Sequence, residues 1–240
     1  MAALRFETEL AEVISRTPSI MSFRFPIRAR GFRYKPGQFF FITIIVEGQQ
    51  ADHHFSFSSS PTEKGYMEFT KRITASSFSQ TLAELTPGVW ARIMGPMGDF
   101  TLPAKPQKLS FLSGGIGITP LRSMMRYTVD KSLPHDIVLL YGNASPEDIA
   151  FRDELEEMRE CSVPRLRIEH VLSGPGIPPD WSGRTGFINR QVIAEVVPDY
   201  MERLHYVSGP PRMVASLKEQ LEALSVPARQ IKIDSFTGYD

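Results

Sequence analysis

The chain has a single cysteine, Cys161, in 240 residues. An intrachain disulfide is therefore impossible, and so is an iron–sulfur cluster held by four thiolates of this chain. A charge excess is missing as well: Lys+Arg and Asp+Glu both number 27, a balance that favours neither nucleic acid nor an anionic lipid surface. Long apolar runs are also lacking. The longest, FFFITIIV at 39–46, falls far short of the roughly 20 residues a membrane helix needs, and its β-branched content predicts a buried strand. The opening residues show no charged-then-apolar segment with a small-residue cleavage site, so a cytoplasmic protein is expected. Internal repeats and low-complexity tracts are absent too.

What is present is an ordinary globular composition, 42% hydrophobic and 22% charged, in a length that suits one large domain or two ordinary ones. The first hundred residues read as strands, at 4–14, 20–28, 38–46, 54–58, 66–73 and 89–94. Turn signals such as Pro36-Gly37, Pro87-Gly88 and Gly95-Pro96 separate them, a spacing that predicts a barrel or sandwich. One helix interrupts the series, SFSQTLAEL at 77–85. After the loop at 101–108 the texture changes. KLSFLSG and HDIVLLYG are continuous apolar runs typical of parallel strands covered on both faces, and helical patterns follow, PLRSMMRYTVD and EDIAFRDELEEMRE. Strand and helix go on alternating to the end, which predicts an α/β domain with a parallel sheet. The expected domains are 1–103 and 104–240.

Two stretches carry chemistry. In LSGGIGITPLRSMMRY (112–127) a strand meets a glycine-rich turn and then a helix. Thr119 at the N-cap and Pro120 at the first helical position would start that helix well. Gly114, Gly115 and Gly117 leave the backbone uncovered, so a pyrophosphate can approach the amides and the positive helix end. The same glycines also suit a tight turn and nothing more. The loops YGNAS (141–145), with Asn143, and VSGPPRMV (207–214), with Gly209 and Pro210, fall where the strands' carboxyl ends should lie. That is the usual ligand edge of an open parallel sheet.

The second stretch is HHFSFSSSP (53–61). Neighbours on a strand point to opposite faces, so His53 and His54 cannot readily grip one metal. No metal is expected here.

Taken in order, these motifs resemble the ferredoxin–NADP reductase superfamily along nearly the whole chain. HHFSFSS fills that family's R-x-[YF]-S-x-x-S pattern, GPMGDF (95–100) its GPxGxF, GGIGITP its nucleotide loop, SGPPRMV its CGPPxMV, and FTGY its aromatic tail. The resemblance implies an antiparallel, Greek-key flavin-binding β-barrel followed by a parallel-sheet nucleotide domain. It implies hydride transfer from NADH or NADPH to bound FAD, with FMN less favoured. Ser56 would hydrogen-bond near flavin N5, Phe55 would line the ring and ribityl chain, and Ser59 would support the site. Phe236 and Tyr239 would cover the flavin face that the nicotinamide must occupy, or else belong to an ordinary ordered or frayed tail.

The chain departs from the family pattern at three positions. His53 replaces the arginine that pairs with the flavin phosphate, and histidine is a weaker, pH-dependent cation. Lys71 and Arg72 would supply the charge or else lie on a solvated strand edge, and the helix start with Ser77 and Ser79 would hold the pyrophosphate. Ser208 stands where many members carry a cysteine beside the nicotinamide. Ala144 replaces the arginine of YGxR, while Arg165 and Arg167 are candidates for a 2′-phosphate or else lie on a solvated strand, so coenzyme preference stays open. With no cluster on the chain, electrons must leave to a ferredoxin, another redox subunit or a small acceptor. Other readings are an electron-transfer subunit of a larger complex, a reductase of free flavin, and a redox-inactive nucleotide sensor.

Overall fold

The computed structural model describes residues 3–105, 107–162 and 164–236. It comprises two compact units, Met1–Leu102 with Thr119–Tyr127, and Pro103–Ile118 with Thr128–Asp240.

The strands of the first unit are β1 (Leu4–Glu9), β2 (Glu12–Thr17), β3 (Ile20–Pro26), β4 (Phe39–Val46), β5 (Gln49–Ser56), β6 (Tyr66–Arg72) and β7 (Trp90–Met97), with helix α1 (Ser77–Glu84) between the last two. They pair antiparallel throughout, in the sheets β1-β7-β4-β5 and β2-β3-β6. Alternation decides which face is buried: Phe40, Ile42 and Ile44 of β4 are fully buried, while Phe39 and Phe41 stay partly exposed. Phe69 of β6 is central to the core, its ring centroid 5.0 Å from Phe23 and 4.3 Å from Phe55. Strand β5 ends one sheet and β6 ends the other. The two edges therefore meet along a seam made by side chains.

The sequence predicts one strand over 4–14, and here the structure differs. The amide of Leu10 donates to Val89 O, whereas that of Ala11 donates to Arg24 O on β3. The chain turns a corner between the sheets at this point, with Leu10 buried beneath it. Helix α1 forms as expected. Ser76 caps it by accepting from the Ser79 amide, and Phe78 and Leu82 face inward.

The second unit carries β8 (Lys108–Gly114), β9 (Asp136–Asn143), β10 (Leu166–Leu172), β11 (Arg184–Thr185), β12 (Leu204–Gly209) and β13 (Ile231–Ser235). All are parallel, in the order β11-β10-β9-β8-β12-β13. The helices in this half of the chain are α2 (Ile118–Asp130), most of which belongs to the first unit, α3 (Arg152–Glu160), α4 (Arg190–Val196) and α5 (Pro211–Ala223). Leu112, Leu140, Val171 and Val207 from the central strands meet Ile193 of α4 and Leu217 of α5 in one apolar core. Strand order reverses between β8 and β12, which makes their carboxyl ends a topological switch point.

The helix expected over 147–160 begins only at Arg152. Pro146–Asp148 form a single 3-10 turn, and Phe151 adopts φ +61° with its ring buried. A left-handed aromatic residue ends the continuity that the periodicity suggests. Ile149, Phe151 and Leu155 all face inward and are buried. Among the described residues no helix is long and apolar enough to cross a membrane.

Candidate functional site

The seam of the first unit is lined by residues of β5, β6 and α1. On β5, His53 and Phe55 pair with Ile42 and Phe40 on the buried face, while His54 and Ser56 pair with Phe41 and Phe39 on the other. The two histidines thus diverge. The His53 ring lies 3.8 Å, centroid to centroid, from Phe78 of α1. Lys71 is two residues beyond Phe69 on β6, so it shares the seam face, and it is only 6% exposed. Burial holds its ammonium down, at a pKa of about 8. Burial, followed by the nearby Lys71 and His54, also lowers His53 below the ordinary histidine range. At neutral pH His53 is mainly an uncharged ring and Lys71 mainly a buried cation.

Arg72, one residue on, donates from Nη1 to Ser19 Oγ at 2.6 Å. At the start of α1, Ser77 is exposed, whereas the Ser79 hydroxyl bonds those of Thr74 and Ser76, both at 3.0 Å.

Most of the serine run is engaged inside the unit. The Ser59 hydroxyl sits 2.9 Å from Tyr34 OH and accepts from the Glu68 amide at 2.8 Å. Ser58 Oγ donates to Glu68 Oε1 at 2.8 Å and accepts from Thr70 Oγ1 at 2.8 Å. Glu68, buried to 1% exposure, is neutralised by Arg16 at 3.0 Å and Arg24 at 2.8 Å. From α2, Ser123 Oγ donates to Ser59 O at 2.6 Å and Arg122 Nη1 to Ser58 O at 3.0 Å. Sequence reasoning missed Glu68, Arg122 and Ser58, because their partners are remote in the chain. Ser56, on the opposite face and half-buried, stands apart from this network's buried side.

In the second unit the glycine motif follows β8 directly. Gly115–Gly117 form a 3-10 turn, and the Ile118 amide bonds Gly115 O and Ile116 O. That turn runs straight into α2, so Thr119 is not the N-cap expected from sequence: Thr119 and Pro120 both lie inside the first helical turn. A Cβ on Gly117 would strike Ser208 O and stand 2.5 Å from Gly209 Cα. A Cβ on Gly114 would strike the Met213 thioether. The loops after β8 and β12 are thus in backbone contact at the switch point. Ser113 Oγ reinforces this by donating to Ser208 O at 3.2 Å, and Tyr141 OH donates to Gly115 O at 2.8 Å.

Two predicted site residues have unmet polar groups at the carboxyl edge of the sheet. Ser208 is fully buried at the end of β12 and Asn143 is 5% exposed at the end of β9. The Ser208 hydroxyl and both amide atoms of Asn143 have no hydrogen-bond partner among the described residues. Buried polar groups are nearly always paired, so these atoms are donors and acceptors left over at this edge of the sheet. Pro210 caps α5, and Gly209 beside it has φ +152°. The Phe236 amide donates to Gly209 O at 3.1 Å, which fixes that half-buried residue beside β12. Tyr239 lies outside the described residues. Arg165 and Arg167 lie at the amino end of β10, where Arg167 comes within 4.0 Å of Asp136, at the edge opposite Asn143.

The donor sets fit the two groups that the sequence resemblance implies. A seam with a buried ammonium and aromatic walls suits a flavin nucleotide. Uncovered glycine backbone with orphaned hydroxyl and amide groups suits a nicotinamide nucleotide.

Comparison with known proteins agrees. Residues 6–102 match the family described as the oxidoreductase FAD-binding domain, and residues 111–219 the oxidoreductase NAD-binding domain. Ferredoxin–NADP reductase B of Sorangium cellulosum is 31% identical over 246 residues, spanning 96% of this chain and 97% of that protein. The glycine betaine monooxygenase reductase subunit of Chromohalobacter salexigens is 31% identical over 227 residues, 91% of this chain and 61% of the relative. This chain spans only about half to three fifths of the length of such reductase subunits. Among solved structures, the ferredoxin reductase in carbazole 1,9a-dioxygenase superposes with a TM-score of 0.81 at 25% identity, covering 98% of this chain and 70% of that one. The chain therefore belongs to the ferredoxin–NADP reductase superfamily, with one region matching the oxidoreductase FAD-binding domain and the other the oxidoreductase NAD-binding domain.

Proposed function

We propose that this protein is an NAD(P)H-dependent flavoprotein reductase that serves a separate redox protein. The observation that carries the reading is the pair of orphaned groups at the carboxyl edge of the parallel sheet, Ser208 Oγ on β12 and the Asn143 amide on β9, on a chain whose other unit is an FAD-binding domain. When bound, the flavin supplies the acceptor for a hydride from nicotinamide and passes the two electrons on.

The chain's own residues bind and orient. In a flavin-binding domain at 1–103, Lys71 supplies the phosphate-directed cation, with Arg72 beside it. His53 and Phe55 wall the seam, and Ser77, Ser79 and the α1 amides hold the pyrophosphate. Ser56 donates toward the flavin ring and Ser59 braces the strand end. In a nucleotide domain at 104–240, Gly114, Gly115, Gly117, Thr119 and Pro120 form the turn that receives the coenzyme pyrophosphate. Asn143, Gly209 and Pro210 line the same edge. Ser208 orients the nicotinamide, and Phe236 stands beside it as the aromatic residue that exchanges with the ring, aided by Tyr239.

The acceptor is a ferredoxin or a comparable electron carrier. Relatives that are reductase subunits of oxygenase and demethylase systems support a place in a multi-protein redox chain, and a cytoplasmic location suits a protein fed by nicotinamide nucleotides. The test is the visible spectrum of the purified protein, recorded without oxygen before and after a nicotinamide nucleotide is added. Retained flavin that bleaches on addition is the expected result. Protein that binds neither flavin nor nucleotide would sink the reading.

A further inference from the structure

We propose that the coenzyme is NADH rather than NADPH, selected where the loop after β9 meets the loop after β10. The proposal rests on the reductase reading above and specifies its substrate.

The two loops are joined backbone to backbone at the carboxyl edge of the sheet. The Ser173 amide donates to Asn143 O at 3.0 Å and the Gly174 amide to Ala144 O at 2.9 Å. A Cβ on Gly174 would collide with Ala144 O and come within 3.0 Å of its carbonyl carbon. Position 174 therefore cannot carry a cation. The other side chains of the two loops, Asn143 to Pro146 and Ser173 to Pro178, are all uncharged. The charges that follow in sequence are negative, Glu147 and Asp148, and the Ser145 hydroxyl donates to Asp148 at 3.1 Å.

A 2′-phosphate is recognised by arginine or lysine, most effectively through paired N–H donors. Neither loop carries a basic side chain of its own. Arg184 of β11 is held by Glu195 at 2.6 Å and Glu169 at 3.3 Å. Arg165 and Arg167 are at the opposite edge. Arg159 of α3 is paired with Glu156 at 2.6 Å, and the field of Arg152 falls on His170 of β10. What the edge offers instead is the Asn143 amide, a buried donor and acceptor with neither satisfied. That pair complements a ribose diol, whose hydroxyls both donate and accept. A 2′-phosphate replaces one of the two donors with a group that only accepts, and it finds no cation on either loop to meet its charge.

The experiment measures anaerobic flavin bleaching of the purified protein with NADH and with NADPH, alongside calorimetric titration with NAD+ and NADP+. NADH is expected to be favoured on the order of 100-fold in kcat/KM. Asn143→Ala should weaken NAD+ binding about 10-fold while leaving the Tm unchanged or raised, because the amide it removes has no partner. Ala144→Arg should raise NADPH turnover and narrow the ratio. Equal or better use of NADPH by the unaltered protein would overturn the coenzyme assignment and leave the reductase reading intact. So would an Asn143→Ala protein with unchanged NAD+ affinity. If neither coenzyme bleaches the flavin but NAD+ still binds more tightly than NADP+, the reductase reading falls and the nucleotide selectivity stands. If neither nucleotide binds, both fall.

Discussion

Arg122 of α2 and Glu63 of the loop after β5 form an ion pair across 59 residues of sequence, with Arg122 Nη2 3.1 Å from Glu63 Oε1. The arginine side chain is 4% exposed and the glutamate 18%. Removing one partner of such a pair leaves a buried charge with no counterpart. Arg122→Met should therefore destabilise the protein by about 3–5 kcal/mol, and Glu63→Met in the same chain should recover most of the loss. Urea denaturation of the single and double variants checks this. Equal destabilisation of both would mean that the two residues are not coupled.

Flavin retention should depend on Lys71 more than on His53. Lys71→Met is expected to lower FAD affinity about 10-fold or more, since it removes a charge-assisted contact, and His53→Phe should keep affinity within about 3-fold because it preserves an aromatic wall against Phe78. A pH series adds a signature. Burial places the free Lys71 pKa at about 8, and a bound phosphate favours the charged form. Affinity should be flat below that pH and fall as pH rises through it. Fluorescence titration of the apoprotein with FAD would show the fall in the parent and its absence in Lys71→Met.

Gly117→Ala tests the contact at the switch point. The added methyl meets Ser208 O and Gly209 Cα, both backbone atoms that cannot swing aside. Overpacking of this kind typically destabilises by about 1–3 kcal/mol, and separating the two loops should also lower nucleotide affinity. A variant with parent-like Tm and NAD+ binding would refute the rigidity of the contact.

Acid should weaken the second unit before general carboxylate protonation begins. Burial, then the fields of Arg152 and Arg159, holds His170 down at about 4, so the folded chain keeps it neutral where the unfolded chain protonates it. The unfolded state thus binds more protons between about pH 6.5 and 4, and stability must fall as pH drops through that window. His135 and His205, both lowered chiefly by burial, act in the same direction. Thermal melts at stepped pH should show the loss, and His170→Phe should flatten part of it.

How much of this was legible from sequence depended on distance along the chain. The alternation in FFFITIIV, the apolar run of KLSFLSG and the 3.6-residue period in α2 are local, and each produced the element expected. Conformations imposed from outside a segment were not legible. Leu10 and Ala11 part company because Val89 and Arg24 claim their amides, and Phe151 turns left-handed because its ring enters the core. Thr119 has the right chemistry for a cap, yet the preceding glycines already wind a turn that takes the helix start from it. For the site, the motifs located the strand ends but could not say which serines were occupied. Ser58 and Ser59 are engaged by Glu68, Tyr34 and α2, contacts no window of sequence contains.

The seam between β5 and β6 joins two sheets chiefly by rings and a buried ammonium, with the Ser58 and Ser59 amides bonded to Glu68 O at one end. A strand edge covered by side chains becomes a template for stray pairing whenever that cover opens, and a ligand that binds only the folded chain stabilises it by mass action. A flavin in that seam would act as a chaperone as well as a prosthetic group. Cells short of riboflavin would then lose this protein to aggregation and proteolysis sooner than they lost its turnover, and flavin supply during synthesis would govern its yield.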